Sequence, residues 1–180
     1  MTVKYRKNYE YKDFTDENGN ASVQLVYIGK YYRNPLTVLQ QRTLGKKSIL
    51  FSMGCLLMFL IAGMCSSGAG RNFLVTVPYV ISFLSIAYFI MGSFAICKMK
   101  ESLEEEQYEK SIGRTARSSI MTGFLSAVTL ICDIVFLIGS GSQMKLPGDI
   151  VFLFAELILF TLAVYYFRSC KEALNSVKAE

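Results

Sequence analysis

Four apolar stretches set the limits on what this 180-residue chain can fold into. They run from Ser48 to Ser66, Phe73 to Cys97, about Ser118 to Gly139, and Ile150 to Phe167. Each is close to the ~20 residues a helix needs to cross a bilayer. A soluble domain seldom has room for four such runs so poor in charge. Composition agrees: 52% of residues are hydrophobic and only 18% charged, with a mean hydropathy of +0.35. Soluble domains carry about a quarter charged residues. The expected fold is an all-α membrane protein, with four transmembrane helices arranged as two antiparallel hairpins. The short connections at 67–72 and 140–149 make consecutive helices neighbours.

Charge placement predicts the orientation. Seventeen of the nineteen Lys and Arg residues lie in 1–47, in 98–117 or after Phe167; only Arg71 and Lys145 lie in the other two connections. Basic residues accumulate on the cytoplasmic side. Both termini and the 98–117 loop are therefore expected there, and the pattern fits a bacterial plasma membrane. The net charge of +5 is then spent on topology and lipid headgroups rather than nucleic acid. No apolar leader precedes the first run, which is expected to direct insertion itself.

Several chemistries have no residues to carry them. The chain has no His, which removes imidazole metal sites and Ser-His or Cys-His catalysis. Its five cysteines are widely spaced, with no CxxC pair and no disulfide framework. No enzyme activity, cofactor or metal is expected.

The polar parts divide further. Residues 1–33 read as a cytoplasmic β-hairpin, with alternating segments around Asn18-Gly19. Tyr5, Tyr9 and Tyr11 face Leu25, Tyr27 and Tyr31 across it. A lone two-stranded ribbon is marginal in water, so these side chains are the expected contacts to a partner. Residues 34–47 read as a short interfacial helix starting at Asn34-Pro35 and turning at Gly45 into the bundle, 48–168, with one continuous helix from Pro35 as the alternative. The charged loop 98–117 reads as an extension of the second span, broken near Gly113, and 169–180 as a cytoplasmic tail.

Two acids lie inside the spans, Asp133 and Glu156. A charge at membrane depth costs about 2.5–3.5 kcal/mol even on the lenient insertion scale. Each is about six residues from the outer end of its run, or roughly 9–10 Å deep. Thr122, Ser126, Thr129 and Asp133 share one helical face, and Ser119, Gly123 and Ala127 form a small-residue ridge beside it. Two functions follow as expectations. One is a non-enzymatic assembly or accessory subunit, in a homo-oligomer or larger membrane complex, docking through the hairpin. The other is a proton- or cation-coupled small-solute transporter, with Asp133 and Glu156 as the ion site beside Thr122, Ser126 and Thr129. Membrane lipid is a partner in either case.

Overall fold

The computed structural model describes residues 7–15, 21–34, 36–65, 67–99, 102–139, 146–176 and 178–179. Tyr5, the Asn18-Gly19 turn, Pro35 and most of the 140–149 connection lie outside them. The chain is mostly helical, with four helices long and apolar enough to cross a membrane: Val38–Met64, Phe73–Cys97, Glu105–Gly139 and Pro147–Lys171. A two-stranded sheet precedes them, β1 (Tyr9–Thr15) paired with β2 (Ala21–Tyr27). The register sets Tyr9 against Tyr27, Tyr11 against Leu25 and Asp13 against Val23.

The 34–47 segment does not form a helix of its own. It supplies the first turns of α1 (Val38–Met64), which runs unbroken through Gly45. The cap is Thr37 rather than Asn34. The Thr37 hydroxyl accepts from the Gln40 N–H at 3.3 Å, and the Gln40 side chain accepts from the Thr37 N–H at 3.0 Å. This reciprocal box satisfies two donors that helix geometry otherwise strands. Gly45 is a close-approach position and no hinge: a Cβ there would collide with Cys97 Sγ.

The charged segment also differs from expectation. α2 (Phe73–Cys97) stops at Cys97. A strand, β4 (Ser102–Glu104), follows, then α3 (Glu105–Tyr108), a π-helical stretch over Glu109–Gly113, and α4 (Arg114–Gly139). The charges thus extend the third long helix and not the second, with no break at Gly113. Glu105 and Glu106 occupy the first turn, where negative charge complements the helix dipole. α5 (Leu146–Ser176) and β5 (Lys178–Ala179) follow.

A second sheet gathers three remote segments. β3 (Tyr31–Arg33) pairs with β4 on one side and β5 on the other, both antiparallel. The Tyr32 ring stacks on Tyr108 at 4.2 Å. The Gln41 side chain donates to the carbonyls of Ile96 (3.3 Å) and Met99 (2.7 Å), satisfying the end of α2. These contacts define a sheet end of the bundle, opposite the loop end at Ser67–Asn72.

The four long helices close into a ring in the order α1, α2, α4, α5. Its interior is rich in hydroxyls: Ser48, Ser52, Ser82, Ser85, Ser93, Thr115, Thr122, Ser126 and Thr129 are all buried. Its outer surface is apolar, with Leu50, Leu57, Phe73, Leu84, Phe124, Ile131 and Phe154 exposed. Apolar packing concentrates in two places. Leu44, Phe89, Ile96, Ile112 and Tyr166 pack towards the sheet end, and Ala62, Val75, Phe136 and Phe152 towards the loop end.

α2 and α4 touch at Gly92, where a Cβ would collide with Thr115 Oγ1 and sit 2.9 Å from its backbone nitrogen. Gly92→Ala is expected to lower the thermal midpoint in detergent, because overpacking of this kind costs about 1–3 kcal/mol. An unchanged midpoint would show that the two helices can separate freely.

Candidate functional site: buried carboxylates between two helices

The polar face of α4 turns inward as its spacing requires. Thr122, Ser126, Thr129 and Asp133 are each 0% exposed, and Glu156 of α5 is 1% exposed. The hydroxyls have different partners. Thr122 hydrogen-bonds Ser85 of α2 at 2.9 Å, and Ser85 donates to the Ser118 carbonyl at 3.0 Å. Thr129 donates to Leu125 O of its own helix at 3.0 Å, and so does not reach a carboxylate. Ser126 bridges to α5, with its Oγ 2.8 Å from Glu156 Oε2 and 3.0 Å from the Glu156 carbonyl.

Asp133 is different. Neither of its carboxyl oxygens has a hydrogen-bond partner, and Glu156 Oε1 has none either. These three are the unpartnered buried side-chain oxygens among the described residues. The two carboxyls lie within electrostatic reach of each other. A buried charge without a partner is costly, and most buried polar atoms in folded proteins are satisfied. Among the described residues, no group of three or more His, Cys, Asp or Glu is placed to hold a metal ion.

Asp149 is a third fully buried acid, which the sequence reading left in a connecting loop. It sits in the first turn of α5, fully buried. Its Oδ1 accepts from the backbone N–H of Gly68 at 2.7 Å and of Ala69 at 3.2 Å. It ties the start of α5 to the α1–α2 connection, and it lies within electrostatic reach of Asp133. The only signal in the sequence is an acid at the start of an apolar run. Nothing there marks the two N–H groups it binds.

The ribbon is anchored at its base and free beyond it. The Tyr9 hydroxyl donates to the Glu104 carboxylate. The Tyr27 hydroxyl donates to Lys30 O at 2.9 Å and accepts from the Glu105 N–H at 3.1 Å. Tyr27 packs edge-on against Tyr9 and Tyr31, each at 5.0 Å. Of the residues expected to meet a partner, Tyr9 and Tyr27 are therefore engaged within the chain. Tyr11 and Leu25 lie exposed, Tyr31 is exposed with its ring edge-on to Tyr27, and Tyr5 is outside the described residues.

The Glu104 hydrogen bond, with some help from burial, holds the Tyr9 phenol above its usual range. The neutral phenol is the form that binds. This contact is at full strength below the unfolded value near pH 10 and is lost as pH rises through the folded value. Tyr9→Phe is expected to speed tryptic cleavage at Lys12 at neutral pH. Equal rates at neutral pH would show that the bond does not anchor the ribbon.

Comparison with known proteins finds no significant match to a family model, to a curated protein or to a solved structure. Fold and site define a class only. This is a mostly helical protein with four helices long and apolar enough to cross a membrane, carrying buried carboxylates between two of them.

Proposed function

We propose that the chain is an integral membrane protein that carries a proton or monovalent cation on the Asp133–Glu156 pair, coupled to movement of a small solute. It crosses the bilayer four times as two antiparallel hairpins, with both termini and the 98–117 segment on the cytoplasmic side of a bacterial plasma membrane. The segregation of seventeen basic residues supports that orientation. The hydroxyl-rich interior and apolar exterior support insertion, since water would not leave so wide an apolar surface uncovered. The observation that carries the transport reading is the set of three unpartnered carboxyl oxygens inside the bundle. Ionisable groups at membrane depth that face a bundle interior mark ion and proton paths. Ser126 holds Glu156 from one side and leaves its other oxygen open to the ion. The test is reconstitution: with a panel of small solutes supplied, vesicles holding the purified chain should dissipate an imposed proton or sodium gradient faster than empty vesicles. Rates no faster than those of empty vesicles, for both ions and every solute, would sink this reading.

A second reading is favoured by the ribbon. Beyond its anchored base, the face bearing Tyr11 (75% exposed), Val23 (65%) and Leu25 (47%) is uncovered. In this reading the chain is a non-enzymatic accessory subunit, and the ribbon docks on a larger membrane complex or a second copy. Serine at all three positions is expected to reduce the particle extracted in mild detergent to the monomer. The thermal midpoint should hold within about 0.5 kcal/mol of stability, as for other exposed sites. A particle of unchanged mass would remove the docking role.

A further inference from the structure

We infer that the groove between α4 and α5 on the outside of the bundle is a binding site for one anionic phospholipid, its phosphate held by Arg168 and Lys171. The inference rests on the reading that these helices cross a membrane; it is independent of any transport role.

The groove encloses about 550 Å³. It exists because the residues facing each other across it are small: Ser119, Gly123 and Ala127 on α4, and Ala163 on α5. A Cβ built on Gly123 would meet Ala163 Cβ at 3.7 Å, so the backbones come close and no side chain fills the space outside them. Its length is that of one leaflet. Ser119 to Ala127 rises about 12 Å and Phe160 to Lys171 about 16 Å, against a half-core of about 15 Å.

The groove is also amphipathic in the sense a lipid is. Apolar and small residues line it up to its sheet end, where Arg168 and Lys171 stand three residues apart on one helix face. Among the described residues no acid lines it, and both cations are exposed. The comparable groove between α2 and α4 is smaller, about 370 Å³, and its one arginine, Arg117, is already held by Glu109 at 3.4 Å. Basic pockets between helices at the cytoplasmic face hold anionic headgroups by this chemistry.

The test uses the full chain extracted from membranes, stripped of lipid, and titrated with phosphatidylglycerol or phosphatidylcholine of matched tails. Bound lipid is counted by native mass spectrometry. The native chain is expected to hold one phosphatidylglycerol roughly tenfold more tightly than phosphatidylcholine, given two cations near the headgroup. Arg168→Gln with Lys171→Gln should abolish the preference while leaving the thermal midpoint unchanged. Ala127→Leu, which fills the groove, should weaken both lipids alike. Equal binding of the two lipids by the native chain would overturn the site. So would a preference that survives the double substitution, or a dimer that forms in place of the lipid adduct. A chain that needs no detergent to stay in solution would instead overturn the membrane reading itself.

Discussion

Asp133→Asn combined with Glu156→Gln is expected to reduce ion flux in reconstituted vesicles to the background of empty ones, while the protein stays folded. The argument lies in what each oxygen does. The Asp133 carboxyl makes no hydrogen bond in the folded chain, so an amide there removes a titratable group and breaks no contact. Gln at 156 keeps an oxygen for Ser126 and so keeps the α4–α5 bridge. Stability should move the other way at one of these positions. Asp133→Val replaces an unpartnered buried polar group with an apolar one of nearby size, which is expected to raise stability by about 1–3 kcal/mol. A residue that holds helices together gives the opposite sign. If Asp133→Val lowers the thermal midpoint and the double variant transports normally, the carboxylates are ties between helices and the transport reading fails.

Removing the third acid should do the reverse. Asp149→Ala leaves the N–H groups of Gly68 and Ala69 without their acceptor, in a connection where both residues are buried. Hydrogen bonds to a charged group contribute about 1.5–3 kcal/mol each, and a stranded buried donor adds its own penalty. A loss of about 3 kcal/mol is expected, or roughly 6–12 °C in midpoint for a chain of this size. Asp149→Asn retains a neutral acceptor and should recover about half of it. Thermal unfolding in detergent reads both variants. A midpoint within a degree of the native value for Asp149→Ala would show that water or the backbone replaces the carboxylate, and that the tie is dispensable.

The two acids in the spans were legible before any coordinates, and the third was not, although all three are buried. Asp133 and Glu156 stand out because their neighbours are apolar, and the 3.6-residue period puts Ser126 and Asp133 on one face of α4. The four helices were legible for the same reason: each is a property of consecutive residues. Alternation likewise sets which side chains share a face of each strand, but that Tyr11 stands opposite Leu25 is decided by the register.

What only the tertiary structure decided is where chain ends meet. α1 starts at Val38 and not at Ser48, because the Thr37 box begins it and Gln41 closes the end of α2. The 102–104 segment is a strand because β3 lies beside it, and the charges after it join the third long helix. Gly45 and Gly92 mark close approaches to Cys97 and Thr115 that no local pattern announces. Asp149 finds its partners in two backbone N–H groups. Side-chain periodicity is written along the chain, residue by residue. Backbone donors and acceptors are nearly the same at every position, so the sequence carries no label for which of them will meet across the fold.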